Sequence, residues 1–224
     1  MRIDIVSDTV CPWCFIGKRK LEQALAMRPD IPFAISWRAY RLDPTIPREG
    51  VERRAYMKAK FGDSERASAV TGAIRDAGAS VGIAFAFDRI EKRPETTDSH
   101  RLIRWAASAG KQNDIVGRLF QAYFEDGRDI GDPATLVAVA REAGMDGDLV
   151  ADLLAGDADR ELIEQEDELA HRMGISGVPS FIFANKYLIS GAYDADKLVR
   201  VIDKVQAEAA EAMGTPNSVG SRER

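Results

Sequence analysis

Cys11 and Cys14 are the only cysteines in the 224-residue chain, and only Pro12 and Trp13 separate them. A disulfide across so short a loop stabilises almost nothing. The spacing suits chemistry instead: one thiolate attacks a disulfide sulfur, and the second thiol resolves the mixed disulfide that results. Pro12 suits the first turn of a helix, so Cys11 stands just ahead of that turn. Unpaired backbone N–H groups and the positive end of the helix dipole then face the Cys11 sulfur and favour its thiolate. Lys18, Arg19 and Lys20 add positive charge one to two turns on. These positions make Cys11 the exposed nucleophile and Cys14, one turn inside the helix, the buried resolving thiol. Trp13 is expected beside them at the surface, facing substrate together with Pro12. A zinc ion needs four ligands and this pair supplies two. The two histidines, His100 and His171, lie far apart in helical segments, so no metal is expected.

A second half of the site is expected at Gly177-Val178-Pro179, directly before an apolar run. The plainer reading is a proline at a strand entry. The sharper one is a cis peptide at Val178–Pro179, which would leave the Val178 backbone free to pair with an extended substrate.

The surrounding patterns say what must hold these pieces. Residues 2–7 and 33–39 alternate as strands, and the segment between them repeats apolar residues at helical spacing up to Pro29. A strand–helix–strand unit favours parallel pairing and a right-handed crossover. Helices are predicted near 52–61, 64–79, 98–109, 112–125, 132–143, 147–155 and 158–173, with a short extended piece at 83–87. After Gly174 come strands at 181–183 and 187–190, joined by a turn at Asn185-Lys186, and a last helix over 194–212. The predicted class is therefore α/β, a thioredoxin-like fold with a large all-helical insertion. Its parts are residues 1–45 and 174–213 as two halves of the thioredoxin-like domain, 46–173 as the insertion, and 214–224 as a flexible tail. Parallel pairing between the halves is expected to bring Cys11 to Pro179.

Ser7 to Arg19, with its Cys-Pro-Trp-Cys core, closely resembles the opening of the FrnE-like branch of the DsbA family. Further stretches resemble the same branch: Thr97 to Ile103, Leu119 to Phe124, Gly177 to Phe181 and Ile189 to Ala192. The resemblance runs from about residue 2 to 205. It implies a thioredoxin fold with a helical insertion, a redox-active Cys11–Cys14 disulfide, and a cis-proline at Pro179 facing it. It also implies protein or small-molecule disulfides and thiols as partners, and no tightly bound cofactor. The related 2-hydroxychromene-2-carboxylate isomerases and kappa-class glutathione transferases typically carry serine at the position of Cys11. Two cysteines here favour disulfide exchange, while glutathione as a co-substrate, and a glutathione-dependent isomerase or transferase activity, stay open. A redox-inactive docking module is the competing class. Ile5 stands where thioredoxin and DsbA place a buried acid, so Asp4 or Asp8 is the candidate proton acceptor for Cys14. The plainer alternative has Asp8 capping a turn and Asp4 exposed. His100 is expected on the surface of the insertion, with a role above the thiols suggested only by the resemblance.

The remaining signals are mostly exclusions. A net charge of −5 gives no hint of nucleic acid or an anionic membrane as partner. No apolar run approaches the roughly 20 residues that cross a bilayer. The first residues show no secretory pattern, so a cytoplasmic location is expected. Leu119, Phe120, Tyr123 and Phe124 read as a core stripe, and Glu161, Glu164, Glu166, Asp167 and Glu168 as a solvated face. A homodimer is left open.

Overall fold

Ile3 and Ile5 are both buried, and so are Asp4, Val6 and Ser7 between and after them. A strand buried on both faces must sit inside a sheet with cover on each side. In the computed structural model, which describes residues 1–62 and 65–214, that strand is β1 (Arg2–Ser7). It lies between β2 (Ala34–Ala39) and β5 (Ser180–Phe183), with β6 (Tyr187–Ser190) outside, in the order β2-β1-β5-β6. Helix α1 (Pro12–Ala26) links β1 to β2, which pair in parallel.

The two halves join differently from expectation. β5 runs antiparallel to β1, with Val6 opposite Ser180 and Ile3 opposite Phe183. The antiparallel direction is what places the end of β1 beside the start of β5. Parallel pairing would have put Pro179 at the far end of the sheet from Cys11. The turn of the β5–β6 hairpin includes the expected Asn185-Lys186 and adds Ala184 before them. Ala184 and Asn185 carry positive φ, and Lys186 N donates to Phe183 O at 2.9 Å. Phe183 pairs with Tyr187 across the turn, so three residues close the hairpin.

Between the halves lie α2 (Arg53–Phe61), α3 (Glu65–Ala79), α4 (Thr97–Ser108), α5 (Gln112–Phe124), α6 (Pro133–Glu142), α7 (Gly147–Ala155) and α8 (Arg160–Arg172). This stretch is not purely helical. Val51–Glu52 (β3) and Lys92–Arg93 (β4) form a two-residue antiparallel ladder. Residues 83–86 are irregular and Phe87–Arg89 is a 3₁₀ turn, not an extended piece. The terminal helix is α9 (Ala195–Gly214); the tail expected beyond it lies outside the described residues.

The insertion is anchored on the helix that carries the cysteines. The Phe15 ring stacks on Phe120 with centroids 5.2 Å apart and meets Phe85 edge-on at 6.2 Å. Leu119, Phe120, Tyr123 and Phe124 are all buried, so the α5 stripe is core. Its acidic counterpart on α8 is not simply a solvated face. Asp167 is buried and accepts from Arg41 N at 2.8 Å, and Glu166 accepts from Ala39 N at 3.3 Å. Gln112 takes the Trp37 N–H at 2.8 Å. Side chains of the insertion thus satisfy backbone groups along the outer edge of β2, which keeps that edge from pairing with another chain.

Candidate active site

β1 ends at Ser7, and the next four residues turn the chain into α1. Cys11 N donates to Asp8 O at 3.1 Å, which closes the turn. Cys11 is the N-cap of α1 with extended backbone (φ −94°, ψ 112°), and Pro12 occupies the first turn. No side chain caps this helix. Cys14 N donates back to Cys11 O at 3.0 Å.

Both thiols are free and buried, Cys11 with 4 % and Cys14 with 0 % of its surface exposed. Cys11 is therefore more enclosed than the exposed nucleophile expected of it. Its Sγ lies 3.7 Å from the Val178 carbonyl oxygen, so the loop before β5 covers it. Trp13 is 38 % exposed beside it, and Pro12 is half-buried. Burial pushes the Cys14 thiol well above its ordinary value, and its hydrogen bond to the Cys11 sulfur and the charge there push in the same direction. The Ser7 hydroxyl and the Asp8 N–H, both hydrogen-bonded to the Cys14 sulfur, oppose this only in part. Ser7 had no signal of its own in the sequence beyond its place at the strand end.

The Val178–Pro179 peptide bond is cis. Pro179 is buried and Val178 half-buried. Ser180 Oγ donates to Gly177 O at 2.8 Å and pairs with Ser190 Oγ at 2.9 Å, tying the loop to the hairpin. From the other side, Gly17 of α1 lies so close that a Cβ there would stand 2.8 Å from Pro179 Cγ and 3.2 Å from Phe181 Cζ. Only a residue without a side chain lets α1 lie against this loop, which is how the cysteine helix and Pro179 come together.

Asp4 and Asp8 separate cleanly. Asp4 is buried at the sheet, where Arg2 Nε donates to it at 2.6 Å and Arg38 Nε at 3.1 Å. Burial alone would raise its carboxyl, yet these two arginines hold it below its usual range. Asp8 is fully buried under the cysteine turn. Leu42 N donates to its Oδ2 at 2.8 Å, and Arg93 Nη2 lies 3.9 Å from the same oxygen. His100 Nε2 stands 3.6 Å from the other oxygen, Oδ1. Burial would raise Asp8 too, but attraction to His100 and Arg93 and the Leu42 N–H hold it below the ordinary carboxylate value.

His100 is thus not a surface residue; it is 3 % exposed and packed against the cysteine turn. Its neighbours account for the whole Thr97-Asp98-Ser99-His100-Arg101 stretch at the start of α4. Thr97 bonds Glu95, while Asp98 accepts from Arg101 and Arg160 at 2.8 and 2.7 Å. The Thr9 and Ser99 hydroxyls meet at 2.8 Å, directly linking the turn to α4. Arg101 is fully buried and donates to the carbonyls of Leu153, Gly156 and Ala158. His171, near the end of α8, lies 3.5 Å from Asp167 and away from this group. Among the described residues no cluster of metal-ligating side chains occurs, and no helix is long and apolar enough to cross a membrane.

The geometry has known counterparts. The DSBA-like thioredoxin domain family matches residues 2–203. The crystal structure of a probable DsbA oxidoreductase from Streptomyces coelicolor is 29% identical and superposes with a TM-score of 0.85, covering 100% of this chain and 95% of that one. A 2-hydroxychromene-2-carboxylate isomerase is 16% identical with a TM-score of 0.70, over 95% of this chain and 99% of the other. The cytosolic disulfide reductase DsbM from Pseudomonas aeruginosa, solved with glutathione, is 16% identical with a TM-score of 0.61, over 96% and 100%. The last two are likenesses of fold alone. With a match over nearly its whole length, this chain belongs to the DSBA-like thioredoxin domain family.

Proposed function

We propose that the chain is a dithiol–disulfide oxidoreductase in which Cys11 attacks and Cys14 resolves. The observation that carries this reading is the asymmetry of the pair. Cys11 sits at an uncapped helix N-terminus against the Val178 carbonyl, while Cys14 is wholly enclosed and held in its thiol form. A thiolate at Cys11 attacks one sulfur of a substrate disulfide, and the other sulfur leaves as a thiol. Cys14 then attacks the Cys11 sulfur, expels the bound substrate as a second thiol, and closes the Cys11–Cys14 disulfide. Oxidation of a substrate dithiol runs the same steps backwards. In this reading Trp13, Pro12 and the Val178 backbone meet the substrate, Val178 by pairing with an extended segment beside the sheet.

Glutathione is the first small thiol to test as electron donor in this reading, since the same fold holds it in DsbM, a cytosolic protein. The cytosol, where glutathione keeps thiols reduced, is the compartment the reading favours.

The trapping experiment follows directly. Cys14→Ser is expected to accumulate a stable adduct with a model disulfide, of one chain to one substrate thiol, released by reductant and mapping to Cys11. Normal turnover by Cys14→Ser would favour a monothiol, glutathione-dependent reaction instead.

A further inference from the structure

The core does not hold α2. None of its nine residues is buried. A helix this short is marginal in water without tertiary support. Glu52 caps its start, accepting from Arg54 N and Ala55 N at 2.8 and 2.6 Å. Arg53 tethers it through the carbonyls of Glu91 and Phe87, and Tyr56 donates to Asp43 Oδ2 at 3.1 Å. A segment with so few buried contacts lies at the low-stability end of a fold, and binding elements are drawn from that end.

Its charge is as one-sided as its packing. Arg53, Arg54, Lys58 and Lys60 give α2 four positive charges and it holds no acid, in a chain whose net charge is −5. Arg54, Lys58 and Lys60 are exposed, and so is Phe61, at 47 %. Between α2 and α3 runs a groove of about 1210 Å³, with Met57 and Phe61 on one side and the buried Phe87 and Ile90 among its lining. That volume exceeds the roughly 300–1,000 Å³ of small-molecule pockets and suits a polypeptide segment. The rim carries Arg53, Arg54, Lys58 and Arg75 against Glu52, Asp88 and Glu91. Two of these acids are engaged, Glu52 by the cap and Asp88 by Arg75 at 2.9 Å.

The topology ties this groove to the reaction. Ser7 lies opposite Ala39 in the parallel pair, so the chain leaves β2 at the end of the sheet where the cysteine turn begins. From there residues 40–50 lead into β3 and α2. The Tyr56 ring lies 5.6 Å from the Arg93 guanidinium, and Arg93 faces Asp8 under the cysteine turn. Asp43, which accepts from Tyr56, follows Leu42, whose N–H binds Asp8.

We propose that α2 and the groove behind it dock an acidic amphipathic segment of the polypeptide whose disulfide or dithiol reacts at Cys11. This names a substrate class for the dithiol reading above and rests on that reading. Acidic side chains of the segment meet Arg54, Lys58 and Lys60. Its apolar side chains enter beside Met57, Phe61 and Phe87, and α2 gains the burial it lacks alone. No bond is made or broken at α2; the exchange stays at the cysteines.

The test starts with binding. The probe is a short labelled peptide without cysteine, with Glu on one helical face and Leu on the other, followed by fluorescence anisotropy against the full chain. It is expected to bind roughly tenfold or more tighter than the same peptide with Lys for Glu at low salt. That preference is expected to fade at about 1 M salt. Arg54→Glu with Lys58→Glu is expected to reverse it. Charge reversal can unfold a marginal helix, so Arg54→Gln with Lys58→Gln is measured alongside and is expected to remove the preference without reversing it. The same peptides carrying a disulfide should follow the same order in kcat/KM, while hydroxyethyl disulfide is reduced equally by parent and variants. Equal binding of the Glu and Lys peptides by the parent, or a preference unaltered in both variants, would overturn the docking site. Two other occupants would overturn it as well: anionic phospholipid vesicles, if they and not the peptide lose binding in the variants, or a second copy of the chain, if self-association is what the variants abolish. If the Glu peptide binds as expected but neither kind of disulfide is reduced, the dithiol reading fails and the docking site stands; if both are reduced with no charge preference, only the docking site falls.

Discussion

Cys11→Ser is expected to lose disulfide-reducing activity by on the order of 10⁴-fold or more, measured as insulin reduction with a thiol donor. The reasoning is positional. The sulfur of Cys11 is the one that meets the Val178 carbonyl and the uncapped start of α1. Cys14 cannot substitute, because it is fully enclosed and burial raises its thiol. A serine hydroxyl is too weakly acidic to replace a thiolate at that position. Activity retained within tenfold would mean that Cys14 is the attacking residue, and the roles assigned here would have to be exchanged.

Asp8→Ala should be the costliest single change near the site that removes no thiol. It leaves the buried Arg93 without its carboxylate and the Leu42 N–H without its acceptor. Breaking a buried charge pair in this way costs about 3–5 kcal/mol. The pH dependence has a definite sign. Asp8 is held below its ordinary value, with burial opposing and His100, Arg93 and the Leu42 N–H prevailing. Its contribution is therefore present above the unfolded-state value and is lost as pH falls through the lower folded-state value. The stability gap between the parent and Asp8→Ala should be full at neutral pH and should narrow only below about pH 4. Urea unfolding at several pH values measures it. A gap under about 1 kcal/mol at pH 7 would show that the cluster contributes little.

Much of this arrangement was legible before any coordinates. Periodicity located α1 and most helices of the insertion because they bury an apolar stripe, as Leu119, Phe120 and Tyr123 do on α5; α2 buries no residue. The cysteine spacing and the Pro12 start carried the chemistry. What local pattern could not supply was direction and depth. Alternation marks residues 181–183 as a strand but says nothing of whether it runs with or against β1. The antiparallel answer becomes evident only when Cys11 and Pro179 are required at one end of the sheet. Polar residues misled for a related reason. His100 and Asp167 look like surface groups in isolation, and they are buried because partners far away in the chain neutralise or hydrogen-bond them. The two-residue strands β3 and β4 are too short to leave any periodicity. Cys11 was expected to be open; the Val178 loop, over 160 residues on, covers it.

The most direct measurement is the mass of the folded, reduced chain after brief alkylation at pH 7, followed by peptide mapping. A single label confined to Cys11, with Cys14 reacting only once the chain is unfolded, is the predicted result. Equal labelling of both sulfurs, or labelling of Cys14 first, would contradict the division of labour on which the mechanism stands.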